Sequence, residues 1–521
     1  MLKKIRVALA ILFWLGITLL FLDFTGALHG WLGWMAKVQF LPAVLAVNVA
    51  VIIGLVLLTL VFGRVYCSVI CPLGVFQDGV AHLNVARKRK KKNRKPYSFS
   101  PEMKWLRYGV WALFVIALIV GVQALVALLA PYSAWGRIVQ NLFQPVYIWI
   151  NNLFASMAER ANSYAFYDKE VWLRSLPTFI VAIVTLVVVV ILAWKNGRTY
   201  CNTICPVGTT LSFFSRFAMF RPVIDADKCK NCKVCEHNCK AACINIAEHK
   251  IDYSRCVDCF NCLEDCKFGA LKYRFAWGKQ IAGQAGNDEK TQAGNDERHA
   301  RPNNTRHARP DRASADTGRR AFIAGTAMVV GTAALKAQEK KVDGGFATLL
   351  DKEVPERDIP LTPPGSKSVK DFYRRCTACQ LCVAECPNNV LRPSTDLKHF
   401  MQPEMSYERG YCRPECTRCS EVCPAGAIRK ITKEEKTQYH VGTARVNPAL
   451  CVVEKGVECG NCARHCPAGA IMLVKDEETG YRRPVVNEEK CIGCGACENL
   501  CPARPISAIT VNGRHNHINE D

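Results

Sequence analysis

The stretch CKNCKVCEHNC (residues 229–239), answered by CVDCFNC (256–262) and then Cys266, decides how the rest of the chain is read. Both halves follow the spacing C-x2-C-x2-C-x3-C. Three closely spaced thiolates can wrap one corner of an iron-sulfur cube, while a fourth cysteine a few residues on reaches a neighbouring cube. Zinc held by four cysteines also uses C-x2-C pairs, but it needs no third and fourth cysteine at these offsets. Disulfides would give no reason for the regular spacing.

On the bacterial ferredoxin pattern, Cys229, Cys232, Cys235 and Cys266 hold one [4Fe-4S] cluster, and Cys256, Cys259, Cys262 and Cys239 hold the other. Two features depart from that pattern. Lys240 and Lys267 stand where ferredoxins usually carry proline, and Cys243 is a spare thiol.

The final third of the chain repeats the theme with sixteen cysteines in four groups. They are Cys376, Cys379, Cys382 and Cys386; Cys412, Cys416, Cys419 and Cys423; Cys451, Cys459, Cys462 and Cys466; and Cys491, Cys494, Cys497 and Cys501. Each group ends in Cys-Pro, and CPAGAI occurs at Cys423 and again at Cys466. Four further [4Fe-4S] clusters are expected, making six in all. The C-x3-C at Cys412 and the C-x7-C at Cys451 indicate small insertions between ligands. The spacing leaves open which groups exchange their fourth ligand.

The N-terminal part has a different composition. Four apolar stretches, residues 7–22, 41–62, 108–130 and 177–194, are expected as four transmembrane helices. The loop between the second and third contains ARKRKKKNRK (86–95), whereas residues 131–176 carry four basic and three acidic residues. The positive-inside rule then puts residues 86–95, both ends of the four-helix domain and the first ferredoxin unit in the cytoplasm. Residues 86–95 read as a topogenic loop, not as a nucleic-acid site.

An internal repeat marks this domain: GRVYCSVICPLG (63–74) and GRTYCNTICPVG (197–208). Cys67 with Cys71, and Cys201 with Cys205, are four apart, which on a helical turn puts both sulfurs on one face. Four thiols can therefore converge. An additional iron-sulfur centre, redox-active thiol pairs and the shaping of helix ends before Pro72 and Pro206 are the three readings of this site.

Between the first two apolar stretches lies DFTGALHGWLGWMAKVQFLPA (23–43). His29, Lys37 and Gln39 have the chemistry to hydrogen-bond the carbonyls of a quinone headgroup. Trp31 and Trp34 suit the headgroup level of any membrane protein.

The 521 residues, 29 of them cysteine, carry a formal charge of +23. Six oxidised clusters with their thiolates, at about −2 each, would reduce that excess to roughly +11, so the basicity is no argument for nucleic acid. Residues 278–318 repeat QAGNDE and RHARP, lack the apolar residues to bury a core and are expected to be a disordered linker. The following segment, 319–340, opens with Arg319 and Arg320 before an apolar run rich in small residues, in the manner of a twin-arginine export signal.

The expected architecture is multi-domain. A four-helix transmembrane α-helical domain (1–220) and a two-cluster α+β ferredoxin-like domain (221–277) are joined by the linker and the apolar segment to a four-cluster ferredoxin-like domain (341–521). Residues 1 to about 275 resemble NapH, the quinol-oxidising membrane subunit of periplasmic nitrate reductase systems, and the membrane part of NosR. The resemblance rests on the two C-x3-C-P motifs, the ALHGWLGW…KVQFLPA loop and the two-cluster ferredoxin. Residues from about 317 onward resemble NapG, an exported four-cluster ferredoxin.

The resemblance implies a quinol dehydrogenase of the bacterial inner membrane, with the C-terminal domain in the periplasm. Its partners would be the lipid bilayer, the quinone pool and a redox protein, either a reductase or a cytochrome. No terminal catalytic site of its own is expected, since the chain has no C-x2-C-H haem signature. A redox assembly factor and a cytoplasmic electron-transfer hub are the alternatives. The side of the membrane occupied by residues 376–501 separates them.

Overall fold

The computed structural model describes residues 1–90, 97–163, 166–276, 350–477 and 480–517. The polar tract 278–318, the twin-arginine-like segment 319–340 and the basic run from residue 91 lie outside the described residues. Residues 1–278, 354–503 and 507–521 form one compact unit, which contains every element named below.

The chain opens with α1 (Leu2–Leu22), α2 (His29–Lys37), α3 (Phe40–Leu45), α4 (Val49–Phe62), α5 (Val65–Val69) and α6 (Pro72–Lys90). Then come α7 (Lys104–Val120), α8 (Gln123–Leu129), α9 (Pro131–Ile138), α10 (Gln144–Arg160), α11 (Leu176–Asn196) and α12 (Pro206–Ser215). Among the described residues two helices, α1 and α11, are long and apolar enough to cross a bilayer, with mean hydropathies of 2.4 and 3.0. At 21 residues each they extend about 30 Å.

The other two expected spans are broken, and local backbone chemistry explains both breaks. In the second, Asn48 caps a new helix by accepting a hydrogen bond from the Val51 amide, which divides the stretch into α3 and α4. In the third, Gly121 takes a left-handed φ of 89°, and the amides of Gly121 and Val122 both bond back to the Ala117 carbonyl. Helix α7 stops there and α8 starts afresh.

Helix α9 forms the centre of the bundle, with all eight of its residues buried. Trp135 packs its ring 5.6 Å from Trp14, 5.2 Å from Phe76 and 6.1 Å from Phe143, and donates to Thr18. These aromatic contacts tie α1, α6 and α9 into one core.

The first ferredoxin unit pairs β1 (Phe220–Ile224) with β4 (Leu271–Phe275), and β2 (Ile244–Asn245) with β3 (Lys250–Ile251), all antiparallel. The second unit pairs β5 (Leu391–Pro393) with β6 (Pro403–Met405), β7 (Gly442–Val446) with β10 (Ile509–Gly513), and β8 (Ile471–Lys475) with β9 (Arg482–Val486).

The two ferredoxin units contact opposite ends of the helical bundle. Lys3, at the start of α1, pairs with Glu264 at 2.7 Å, and Arg107, near the start of α7, donates to the Ser254 carbonyl. At the far end of α1, the Phe24 carbonyl accepts from Arg418. Gln123, just beyond α7, donates to the Arg374 carbonyl at 2.8 Å, and Arg174, before α11, donates to the Val383 carbonyl at 2.9 Å.

Candidate functional site

The cysteine groups owe their shape to the backbone. In four of the six, the residues on either side of the second cysteine are left-handed: Asn231 and Lys233, Asp258 and Phe260, Ala378 and Gln380, Gly493 and Gly495. Such a kink turns successive backbone N–H groups toward one point, an arrangement that suits an anionic group. The groups at Cys412 and Cys451, whose spacing is wider, do not share it.

The cysteines gather around cavities. Cys229, Cys232, Cys235 and Cys266 line one, and Cys239, Cys256, Cys259 and Cys262 interact as a second set. In the C-terminal unit Cys386, Cys412, Cys416 and Cys419 line a cavity, as do Cys466, Cys491, Cys494 and Cys497. Cys376, Cys379, Cys382 and Cys423 interact as one set, and Cys459, Cys462 and Cys501 as another. The first group therefore exchanges its last cysteine with the second group, and the third exchanges with the fourth.

These sets fit an iron-sulfur cube better than a single ion. Among the described residues no group of three or more His, Cys, Asp or Glu is placed closely enough for one metal ion, whereas tetrahedral zinc needs its sulfurs at about 2.3 Å. Burial pushes the Cys379 thiol up to about 11 and Cys494 up to about 12, which marks both sulfurs as held away from water. Backbone amides already point at sulfur: Ala378 to Cys376 at 3.4 Å, Ala470 to Cys466 at 3.2 Å and Ala444 to Cys491 at 3.4 Å.

The spare thiol, Cys243, is buried beside the inner set, with its sulfur 3.5 Å from that of Cys239.

The sequence repeat becomes a pseudo-twofold site in the bundle. Cys67, Cys71, Cys201 and Cys205 are all buried and interact with one another. Their turns are wound more widely than an α-helix, since the Cys71 amide bonds to the Tyr66 carbonyl and the Cys205 amide to the Tyr200 carbonyl, five residues back in each case. Arg64 reaches the Cys67 sulfur at 3.8 Å and the Cys201 carbonyl at 3.2 Å. Arg198 mirrors it, reaching the Cys201 sulfur at 3.9 Å and the Cys67 carbonyl at 2.6 Å. The closing glycines make the crossing possible, because a Cβ on Gly74 would lie 2.3 Å from the Cys67 carbonyl oxygen and one on Gly208 would lie 2.4 Å from that of Cys201.

Both repeats also seat the inner set of the first ferredoxin unit. The Arg64 amide donates to Asp258, between Cys256 and Cys259, at 3.0 Å. The Arg198 amide donates to the carbonyl of Lys240, the residue after Cys239, at 2.7 Å. Sequence reasoning marked Lys240 only as an irregularity and missed Asp78, which pairs with Lys240, Arg198 and Arg6 in the bundle interior. Burial alone would raise the Asp78 pKa, but Arg198, Lys240 and Arg6 hold it far below the usual carboxylate range.

The three quinone candidates are not gathered into one pocket. Gln39 is fully buried, donating to the Met35 and Ile70 carbonyls and accepting from Tyr66, so its amide faces the interior and not a headgroup. His29 and Lys37 lie at the two ends of α2, about 12 Å apart along its axis, with Lys37 exposed. Trp31 is 82% exposed, whereas Trp34 is 51% exposed and meets the Phe13 ring edge-on at 5.7 Å. Burial and Lys37 lower the His29 pKa, partly offset by Glu421 of the C-terminal unit.

The family described as "4Fe-4S binding domain" matches residues 44–94 and 178–223, which include Cys67, Cys71, Cys201 and Cys205. The family described as "4Fe-4S dicluster domain" matches residues 375–427 and 455–504. An uncharacterized protein of Methanocaldococcus jannaschii is 26% identical over 44% of this chain and 72% of its own length. The methylamine utilization ferredoxin-type protein MauM of Methylobacillus flagellatus is 30% identical over 22% of this chain and 49% of its own length. The ferredoxin-type protein NapF of Escherichia coli is 28% identical over 34% of this chain and 99% of its own length. No solved structure matches the chain. With 4Fe-4S domains matched over these four segments and ferredoxin-type relatives, the chain is an iron-sulfur electron-transfer protein.

Proposed function

We propose that this protein oxidises quinol in a membrane and relays the electrons along cysteine-held centres between the two faces of the bilayer, toward a periplasmic reductase or cytochrome. The observation that carries the reading is the attachment of the two ferredoxin units to opposite ends of a bundle whose α1 and α11 have the length and apolarity of membrane spans. On this reading the broken segments α3–α4 and α7–α8 also cross the membrane, as interrupted spans packed against other helices.

Bound [4Fe-4S] clusters supply one-electron transfer, tuned by burial and by hydrogen bonds to sulfur. The chain's own residues supply position. The Cys232 set is the outermost of the first unit, and the Cys239 set is held against the repeat by Asp258 and Lys240. The four thiols of the repeat lie inside the bundle, and the family match to their segments favours an additional iron-sulfur centre there. On the other side the Cys379 loop touches α9, where a Cβ on Gly136 would lie 2.4 Å from the Cys379 carbonyl. Beyond it, the Cys412 amide donates to the Cys494 carbonyl at 2.9 Å and links the second set of the C-terminal unit to the third. His29, held below its usual pKa, is suited to take a proton from quinol at the end of the bundle that carries the C-terminal unit.

The test is protease protection of a tag placed after Asp521 in sealed spheroplasts, together with anaerobic reduction of the protein by quinol in liposomes. A digested tag and quinol-dependent bleaching of the cluster absorbance are expected. A protected tag would exclude delivery to a periplasmic partner, and absence of bleaching with full iron content would exclude quinol as donor.

A further inference from the structure

Arg137 is a buried cation with no counter-charge among the described residues. It is 0% exposed, and one of its nitrogens donates to the Ala127 carbonyl at 2.9 Å. Its Nε and second terminal nitrogen are buried with no hydrogen-bond partner, and the groups with which it interacts electrostatically are Tyr200 and Cys379. Among the described residues it forms no ion pair. A lone buried guanidinium costs several kcal/mol unless an anion offsets it. The Tyr200 hydroxyl donates to the Leu129 carbonyl at 3.4 Å, so it keeps its proton there and offers Arg137 no anion. The remaining neighbour is Cys379, whose loop lies against Gly136, the residue preceding Arg137. A [4Fe-4S] cluster with four thiolates carries about −2 when oxidised and about −3 after taking up one electron, with no proton required.

We propose that Arg137 is a positioning residue for the cluster at Cys376, Cys379, Cys382 and Cys423, supplying the positive charge that raises its reduction potential and makes it the acceptor through which electrons leave the bundle. The inference rests on the cluster-binding reading of these four cysteines. Its sign follows from charge alone, because a fixed cation stabilises the more negative, reduced state over the oxidised one. Low dielectric around α9 strengthens the effect, and among the described residues no carboxylate pairs with Arg137 to dilute it. Asn141 fixes the geometry by donating to the Arg137 carbonyl at 2.9 Å and to Gln380, the residue after Cys379, at 3.0 Å.

The test is a redox titration of the full-length protein, monitored by electron paramagnetic resonance, with dithionite as reductant. In Arg137→Gln one cluster wave is expected to move so that its reduction equilibrium falls at least tenfold, about 59 mV for a one-electron couple, while the other waves stay in place. Arg137→Lys, which keeps the charge, should stay within twofold of the native value. The wave that moves should be the one that Cys379→Ser perturbs. Full iron content with every wave unmoved in Arg137→Gln would overturn the proposal, as would a tenfold shift in Arg137→Lys. If Arg137→Gln loses iron, Gln140→Glu places a carboxylate three residues along the same helical segment and must lower the same potential. An unmoved wave in that variant overturns the proposal as well. Failure of the underlying cluster reading looks different, since Cys379→Ser would then leave iron content and every wave untouched.

Discussion

The ammonium of Lys240 lies 3.0 Å from Oδ1 of Asp78, joining the first ferredoxin unit to the interior of the helical bundle. The same carboxylate holds Arg198 at 2.6 Å and Arg6 at 2.8 Å. One acid therefore ties together α1, α6, the second cysteine repeat and the residue that follows a cluster cysteine. Removing one member of a buried ionic group leaves the others uncompensated, and that loss exceeds what the intact pair contributes.

Asp78→Asn should consequently destabilise the docking of the first ferredoxin unit by about 3–5 kcal/mol. Limited proteolysis is the check, with faster cleavage near residue 220 expected while the cysteine sets keep their iron. Cleavage at the native rate would show that Asp78 does not hold the two parts together.

Gly74→Ala and Gly208→Ala should each damage the buried four-thiol site, because the added methyl group meets a carbonyl oxygen at 2.3 and 2.4 Å. The backbone must move by about an ångström, at a cost of about 1–3 kcal/mol. A lowered midpoint of thermal unfolding together with increased thiol labelling at Cys67 or Cys201 is the expected signature. Gly79→Ala is the control, since a Cβ there meets nothing within 4 Å.

His29→Gln or Lys37→Ala should slow reduction of the protein by quinol about tenfold or more, without changing iron content or reduction by dithionite. Stopped-flow absorbance in liposomes reads both rates. Native quinol kinetics in both variants would remove α2 from the donor site. Gln39→Leu is expected to act differently, lowering stability because it strands the Tyr66 hydroxyl and two carbonyls.

The C-terminal unit should lose stability in mild acid through His517. Burial pushes the His517 pKa down to about 4, below the ordinary value of about 6.5, and the ring lies between Thr362 and Ser366, with Nδ1 3.0 Å from the Ser366 carbonyl. Below about pH 6.5 the unfolded chain binds a proton that the folded chain refuses, so stability declines until about pH 4. The loss amounts to about 3 kcal/mol. Denaturant midpoints measured across that range should fall more steeply for the native protein than for His517→Gln, and parallel slopes would refute this role.

The ferredoxin character was legible because it is local. The C-x2-C-x2-C-x3-C spacing fits a short kinked loop, and the left-handed residues flanking Cys232, Cys259, Cys379 and Cys494 are where that kink occurs. The repeat at Cys67 and Cys201 was visible for the same reason, as was the long apolar run that becomes α11. The two interrupted spans were overlooked because an apolar count gives little weight to single residues such as Asn48 and Gly121, although both are ordinary helix-end signals.

Sequence alone determined which cysteines form groups, that the groups suit iron-sulfur clusters, and that an apolar helical part precedes them, since each depends on neighbours along the chain. Only the tertiary structure decided which group lends its last cysteine to which, why Lys240 replaces proline, that Gln39 faces inward, and that Arg137 is buried against Cys379. The physical reason is that ion pairing, ligand sharing and desolvation are set by groups brought together from distant parts of the chain, 242 positions apart for Arg137 and Cys379 and 261 for the Lys3–Glu264 pair, and spacing along the sequence carries no record of them.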